Sequence, residues 1–532
     1  MCDEVAGNCS GTASIRVTWW LSNALTLAEP AVPRLILPES FVAVVHQLRG
    51  VFTRPSFESF AVLVSGWVHA LGGHRLTDAL RAAGAAAGKH YTSYYRFLSH
   101  GRWSLDELGL ALFGVIVQML SLSEVELVLD DTLAHRTGKN VALASMHADP
   151  ALKKTSRGRL FSSYGHVFVV LAVHIRVPTL GKTGWALPLL FRLFEGASYG
   201  GQSDAPSDIR RRRDRERSGA PTRNRVRKTD RELVDGEVRS CADKEATGPL
   251  PEEHRRKKTE FGADLVLVLA RRFPALRFRV LADHLYNGRS VLHAVLSKVD
   301  NVEFVTRGRP DAALYCLPGE QSPRRRGRPK IKGERLANPE TWATKNPDAF
   351  EEVTVDIYGR QTTLRVASFD GMAYRSLPGR LLRYVIVVDP DGIYRTDYLI
   401  ATNISLSPAE VVEAYARRWP LERTFQDCKQ KLCVENTQVQ LPTAVRRSVP
   451  LGMLVYTLVV LWYVTSGHAE AERNAPRIHD EWYHRKGRAS FSEMLSALRR
   501  LSWRAAIVDL PSRDPPEQEI WAEYVERVVA AA

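Results

Sequence analysis

Three acidic residues could do chemistry if the fold brings them together. Asp130 and Asp283 each follow a short apolar run, and Glu422 lies between two cations, Arg418 and Lys429. A site made only of carboxylate oxygens suits Mg²⁺ or Mn²⁺ and does not suit zinc. Two such ions can activate water or a 3′-hydroxyl on one side of a phosphodiester and stabilise the leaving oxygen on the other. The residue types therefore indicate the cutting and joining of DNA.

The sequence also indicates which elements position these acids. Residues 125–132 and 277–284 show alternating apolar positions followed by a carboxylate, which is typical of a strand and its end. Strand ends are where an α/β sheet presents ligands and catalytic groups. Residues 407–410, Ser-Pro-Ala-Glu, form a capping box with proline at the first helical position, so a helix begins there and leads to Glu422. The pattern predicts an α/β fold.

The stretch around Glu422 brings four polar side chains to one side of a helix. At a helical step of about 100° per residue, one arc of roughly 60° holds all four: Tyr415, Arg418, Glu422 and Lys429. Pro420 removes a backbone donor and clashes with the preceding turn, so a kink is predicted just before Glu422. On these residues alone, a solvated face of ion pairs is an equally good interpretation. The two upstream aspartates favour the metal site.

These residues resemble the DDE transposases of bacterial cut-and-paste insertion sequences. Asp130 stands in an Asp-x-Thr context, Asp283 follows a strand, and the signature Tyr-x2-Arg-x3-Glu-x6-Lys is complete in type and spacing. The resemblance covers about residues 120–435 and implies an RNase H-like catalytic core with flanking helical regions.

The resemblance implies a role for each matching residue. The three acids would be the catalytic ligands of two Mg²⁺ ions, for which Mn²⁺ can substitute. Tyr415, Arg418 and Lys429 would hold phosphates of the transposon end. The partners implied are double-stranded DNA, as transposon ends and target, and a second copy of the chain in the complex that pairs two ends.

The first acid has two candidates. Asp130 matches the Asp-x-Thr spacing, but Asp131 is adjacent and would point to the opposite face of a strand. We favour Asp130, and Asp131 is then a turn or capping residue. Asp283 has its own plain interpretation as a strand-ending turn residue. Its position between the other two acids favours the catalytic interpretation.

The order of patterns along the chain predicts four regions. They are a loosely structured lead at residues 1–38, a helical DNA-binding domain at 39–120, the catalytic core at 121–435 and a helical region at 436–532. Within the core lie a basic flexible insertion at about 203–257 and a β-rich insertion at about 300–405. A core-facing stripe is predicted in the N-terminal region at Phe60, Val64, Trp67, Val68 and Leu71. Residues 75–96 then resemble a helix-turn-helix, although a plain helical bundle explains them equally well.

Two basic segments suit the phosphates of DNA. From residue 210 to residue 228, ten of 19 residues are basic, so this run cannot form a core and is either a phosphate grip or a solvated loop. Arg326 and Arg328 lie in an Arg-Gly-Arg-Pro sequence that resembles an AT-hook, which presents arginines to an A·T-rich minor groove. Nonspecific phosphate contact is the other interpretation of these two arginines.

Composition agrees with an acidic partner. The net charge is +15 and the pI is about 9.6, which favours nucleic acid. The six cysteines include no Cys-x-x-Cys pair, which indicates a reducing compartment without structural zinc. The apolar run at residues 451–464 is too short to span a membrane and predicts a buried core helix. No secretory pattern is present at the start, so we expect a cytoplasmic protein with no membrane partner.

The resemblance implies a DNA transposase. Such an enzyme binds the terminal inverted repeats of an insertion sequence and carries out metal-dependent cleavage and strand transfer. Two alternatives use the same scaffold. One is a catalytically silent DNA-binding regulator, and the other is an RNase H-like nuclease without strand transfer.

Overall fold

The computed structural model describes residue 35 and residues 37–508, except 139, 150–151, 153–161, 178–180, 182, 196–255, 320–329, 393–394 and 475–488. The basic run at 210–228 and the two arginines of the AT-hook-like sequence, Arg326 and Arg328, lie outside the described residues. So does nearly all of the lead predicted at residues 1–38.

In the described residues, five α-helices precede the first strand. They are α1 (Glu39–His46), α2 (Arg54–His69), α3 (Leu76–Ala83), α4 (Tyr91–Ser99) and α5 (Leu105–Leu120). The predicted stripe of α2 is buried at Phe60, Val64, Trp67 and Val68. The prediction for Leu71 was wrong: this side chain is 79% exposed, because α2 ends at His69 and the chain turns before α3. The two helices of the helix-turn-helix prediction, α3 and α4, are present.

Ten strands form one mixed sheet. They are β1 (Glu124–His135), β2 (Ser145–Ala148), β3 (Ser162–Ile175), β4 (Trp185–Phe194), β5 (Arg277–Ala282), β6 (Val302–Arg307), β7 (Glu351–Ile357), β8 (Arg360–Gly371), β9 (Leu382–Val388) and β10 (Asp397–Ala401). Their order is β2-β3-β1-β5-β6-β10-β9-β8-β7, and β4 pairs with β3. The α/β class predicted from the sequence is confirmed.

The centre of the sheet is parallel and its flanks are antiparallel. β1, β5 and β6 run parallel, whereas β3 pairs antiparallel with β1 and β10 pairs antiparallel with β6. The strands of the predicted β-rich insertion thus extend the core sheet. β6, which the sequence prediction placed within that insertion, belongs to the parallel centre, so the insertion begins after Arg307. In the part of these connections that the structure describes, three α-helices lie between the strands: α6 (Lys258–Arg272), α7 (Leu292–Leu296) and α8 (Pro339–Lys345).

The predicted kink divides the helix that leads to Glu422. α9 (Pro408–Ala416) begins with the expected capping box, in which Ser407 and Glu410 exchange hydrogen bonds. A turn at residues 417–419 separates it from α10 (Pro420–Gln430). Pro420 occupies the first turn of α10, where its missing N–H would have had no partner. The proline therefore starts a new helix beside the site.

The chain ends its described part with α11 (Pro442–Trp462), α12 (His468–Arg473) and α13 (Phe491–Val508). Within the described residues, the stretch Pro442–Arg473 is long and apolar enough to cross a membrane, but 89% of its most apolar window is buried in the protein. That agrees with the core helix predicted there. α11 packs against β4 and also against the N-terminal helices α1, α2 and α4. Both helical regions therefore share one hydrophobic core with the sheet.

Candidate active site

Asp130 and Asp283 lie side by side at the centre of the sheet. The parallel register of β1 and β5 pairs Leu129 with Ala282, so the next residue on each chain is one of the two aspartates. Neighbouring strands are about 4.8 Å apart. The structure therefore brings the two acids together. Asp283 directly follows the end of β5 as predicted, but the prediction that Asp130 ends its strand was wrong, because β1 continues to His135 through its pairing with β3.

Glu422 reaches these aspartates through an arginine. Arg418 lies in the turn between α9 and α10, where its side chain is 16% exposed. One of its terminal nitrogens donates to Oδ2 of Asp130 at 2.7 Å, and the other donates to Oε1 of Glu422 at 2.8 Å. A single guanidinium thus bridges an acid on the sheet and an acid on α10.

The electrostatics of the site are those of crowded carboxylates. Burial raises the pKa of Asp130 to about 6, with Asp131 and Asp283 adding to the rise and Arg418 opposing it. Burial alone would raise the pKa of Asp283. Hydrogen bonds from His284 and the charge of Arg418 outweigh burial, so the pKa of Asp283 is below its ordinary value. The group therefore holds more negative charge than Arg418 alone balances, which favours a further cation.

Asp131 faces a different part of the protein. Its Oδ2 accepts a hydrogen bond from Lys258 Nζ at 2.8 Å, and its Oδ1 accepts one from the Tyr286 hydroxyl at 3.4 Å. Its backbone N–H donates to Oδ1 of Asp130 at 2.9 Å. Asp131 is thus paired with α6, while Asp130 is directed toward Arg418 and Glu422.

The remaining signature residues, Tyr415 and Lys429, flank the acids. The Arg418 guanidinium carbon lies 5.8 Å from the centroid of the Tyr415 ring. Burial raises the pKa of the Tyr415 hydroxyl to about 12, so it is a neutral hydrogen-bond donor. Lys429 donates to the backbone oxygen of Leu133 at 2.6 Å and lies 3.7 Å from a carboxylate oxygen of Glu435. The Lys429 ammonium is therefore held against the backbone of β1, three residues beyond Asp130.

Two residues near the acids were missed by the sequence analysis. Arg307 ends β6, the strand beside β5, and pairs with Asp397 at 2.6 Å. The charge of Arg307 lowers the pKa of the Tyr415 hydroxyl, and the charge of Asp283 raises the pKa of Arg307. The signal in the sequence was the stretch 302–306, which is apolar at 302, 304 and 305 and is followed by a cation, as the other two stretches are followed by acids. Glu435 had no sequence signal, because it lies outside any motif.

A buried ionic network fixes the turn that carries Arg418. The neighbouring Arg417 makes a two-pronged contact with Glu126 of β1, at 2.7–2.9 Å. His174 of β3 also contacts Glu126, at 3.1 Å. Burial alone would raise the pKa of Glu126, but the bonds from His174 and Arg417 lower it to about 2. The turn is therefore anchored to the strand that bears Asp130, four residues along.

The donor set suits a divalent cation by its chemistry. It consists of three carboxylates and no sulfur, as hard cations require. Within the part of the chain that the structure describes, no three His, Cys, Asp or Glu side chains are yet close enough to hold a metal ion. Arg418 is bonded to two of these three carboxylates.

Comparison with known protein families identifies one family for this chain. Residues 47–365, more than half of its length, match the family described as DDE superfamily endonuclease. The chain belongs to this family. The match includes Asp130 and Asp283 and ends before Glu422 and the rest of the signature. A search of curated proteins found no match.

Membership of the DDE superfamily endonuclease family gives the general activity. The chain is a nuclease or transposase-type enzyme whose family implies a DNA substrate. Members of the family generally use divalent metal ions. The mixed α/β fold is compatible with an RNase H-like DDE fold.

Proposed function

We propose that this DDE superfamily endonuclease is a cut-and-paste DNA transposase. It binds the terminal inverted repeats of an insertion sequence in the cytoplasm, hydrolyses a phosphodiester at each end and transfers the freed 3′-hydroxyl to target DNA. Because two ends must be joined to one target, a homodimer with two active sites performs the reaction.

One observation carries the proposal. Three acids that are far apart in the sequence meet around Arg418: Asp130 and Glu422 are bonded to it directly, and Asp283 lies beside Asp130 on the next parallel strand. Glu422 belongs to the Tyr-x2-Arg-x3-Glu-x6-Lys signature, which continues to Lys429, and Asp130 stands in the Asp-x-Thr context that resembles the same family. The contact between Arg418 and Asp130 joins residues 288 positions apart, so it depends on the fold, whereas Arg418 and Glu422 are only four positions apart.

The roles follow from the positions. Two Mg²⁺ ions held by Asp130, Asp283 and Glu422 would activate the attacking oxygen and stabilise the leaving oxygen. Tyr415 and Lys429 would offer a neutral donor and an ammonium to phosphates. The chain itself supplies the orientation, since the Glu126 network holds the turn at the start of α10.

A second candidate is an endonuclease that cuts without joining. The family description favours it, because that description names an endonuclease and not a transposase. Both candidates use the same acids for the hydrolytic step. They differ only in whether the 3′-hydroxyl produced is used as the next nucleophile.

The experiment is a cleavage and joining assay with purified protein, Mg²⁺ and labelled duplex carrying the sequences that flank the gene. Glu422→Gln is the test variant, because it removes the charge and keeps the shape. Asp427→Asn is the matched control, since Asp427 is on the same helix and about 140° around it from Glu422.

Three outcomes are distinct. Joined products from wild type and Asp427→Asn, absent with Glu422→Gln, support the transposase. Cleavage without joining, with the same dependence on Glu422, supports the endonuclease. Equal cleavage by wild type and Glu422→Gln contradicts the assignment of the third acid.

A further inference from the structure

Arg418 occupies the space between two proposed metal ligands. Its nitrogens lie 2.7 Å from an oxygen of Asp130 and 2.8 Å from an oxygen of Glu422. With 16% of its side chain exposed, it lies inside the site. The guanidinium is planar and its donors diverge, so it serves both carboxylates at once.

A metal ion between those two oxygens would take the position that this guanidinium now occupies. Mg²⁺ requires its ligand oxygens at about 2.0–2.1 Å in near-octahedral geometry, so Asp130 and Glu422 would have to converge where Arg418 now separates them. The positive charge of Arg418 would also repel a divalent cation at that distance. Metal binding between these two oxygens therefore requires Arg418 to leave at least one of them.

DNA offers Arg418 an alternative partner. A phosphate accepts the same two-pronged contact from a guanidinium as a carboxylate does. The Arg418 guanidinium carbon lies 5.8 Å from the centroid of the Tyr415 ring, so a backbone phosphate held by Tyr415 would compete with the acids for Arg418. Exchange of one anion for another keeps the guanidinium paired throughout.

We propose that Arg418 is a substrate-gated latch: in the DNA-free protein it holds Asp130 and Glu422 apart, and a phosphate of the bound DNA end draws it away so that the metal site forms. This inference rests on the proposed function of the three acids. Its consequence is that the hydrolytic site assembles on a bound end and not on free enzyme.

The latch predicts how Mn²⁺ binds without DNA. In titrations followed by electron paramagnetic resonance of free Mn²⁺, Arg418→Ala should bind Mn²⁺ about tenfold or more tightly than wild type, within the usual range of coupling between sites. Arg423→Ala is the matched control. It removes the same charge from an exposed position next to Glu422, so it measures the effect of net charge alone. Thermal unfolding of each protein checks that it is folded.

A second measurement uses wild type and does not depend on a variant that may be unstable. A precleaved duplex with the gene-flanking sequence should tighten Mn²⁺ binding to wild type, and by linkage Mn²⁺ should tighten DNA binding by the same factor. In Arg418→Ala the gain from DNA should be several-fold smaller, because the latch is already absent. Direct coordination of the metal by DNA would raise Mn²⁺ affinity equally in wild type and in Arg418→Ala. A smaller gain in Arg418→Ala therefore indicates the latch.

The outcomes separate the latch from the proposed function. Equal Mn²⁺ affinity of DNA-free wild type, Arg418→Ala and Arg423→Ala overturns the latch, as does an equal gain from DNA in both proteins. Adding Glu422→Gln to Arg418→Ala should abolish the tight site. If that double variant still binds Mn²⁺ tightly, the acids are not the ligands and both ideas fail. If wild type with DNA binds no Mn²⁺, the metal-dependent function fails and the latch fails with it.

Discussion

Asp130 and Asp131 are neighbours on β1 with different partners. Asp130 bonds to Arg418 beside Glu422, whereas Asp131 bonds to Lys258 on α6. We expect Asp130→Asn to slow cleavage by about 10³-fold, because loss of a metal ligand removes several kcal/mol of transition-state stabilisation. We expect Asp131→Asn to slow it by no more than about 10–100-fold, the range for groups that orient a ligand. Single-turnover cleavage of duplex DNA that carries the transposon-end sequence measures the rate of each variant.

The control for this pair is DNA binding, which both variants should retain. If Asp131→Asn is as inactive as Asp130→Asn while folded and bound to DNA, the first ligand has been assigned to the wrong residue.

Arg417 and Arg418 are adjacent arginines with separate tasks. The side chain of Arg417 is 14% exposed and its partner Glu126 is 20% exposed, so the pair is largely desolvated. We expect Arg417→Ala to lower the free energy of unfolding by about 3 kcal/mol, because it leaves a buried carboxylate short of a partner. Arg423→Ala, at an exposed position, should change it by less than about 0.5 kcal/mol. Urea denaturation compares them, and a similar small effect in both would show that the Glu126 network does not anchor the turn.

At the scale of elements, the end of β1 is tied to the segment after α10 by a histidine between two acids. His135 contacts Glu435 at 3.0 Å and Asp149 at 2.9 Å, and Glu435 also lies 3.7 Å from Lys429. Burial and the charge of Lys429 alone would lower the pKa of His135. The bonds to Asp149 and Glu435 outweigh both, so the pKa of His135 is above 6.5. The imidazolium form therefore joins the two elements.

The sign of the pH dependence follows from that raised pKa. Stabilisation by His135 is fully present below its unfolded-state pKa of about 6.5 and is lost as the pH rises through the higher folded-state pKa. We expect the stability difference between wild type and His135→Asn to be largest near pH 6 and to shrink toward pH 8.5. Urea midpoints at both pH values test this, and a difference that grows with pH would contradict it.

The elements that the sequence predicted well are those with a local signal. Alternating apolar positions identified β1 and β5, and a capping box placed the first residue of α9 correctly. Pro420 indicated the break before Glu422 because its backbone chemistry is local. These signals were sufficient to propose the three acids as one site.

The elements that the sequence missed lack such a signal. β4 is buried on both faces, so its apolar run shows no alternation and includes a proline, Pro188. The bridge from Arg418 to Asp130 depends on contacts between residues 288 positions apart, which no local pattern encodes. The prediction for Leu71 failed because its spacing fits the apolar stripe of the helix, although the helix ends before it.

At the scale of the whole molecule, the charge of +15 predicts DNA binding that depends steeply on salt. We expect Arg326→Ser together with Arg328→Ser to reduce the slope of log affinity against log salt by about 2, if both arginines contact phosphates. Fluorescence anisotropy at several salt concentrations measures the slope. A loss confined to A·T-rich duplex would indicate minor-groove binding, and an unchanged slope would exclude both roles.

The N-terminal helices and the catalytic sheet are joined by α11 and by the segment after α10. Arg447 donates to the backbone oxygen of Leu98 at 3.0 Å, Thr457 donates to that of Pro188 at 2.8 Å, and the Trp67 indole donates to the chain after α10. We therefore expect one unfolding transition, with far-ultraviolet circular dichroism and tryptophan fluorescence coinciding in urea. Arg447→Met should shift both midpoints together, by about 1–3 kcal/mol, because it leaves buried carbonyls without a donor. Two separable transitions would instead show that residues 39–120 fold as an independent domain.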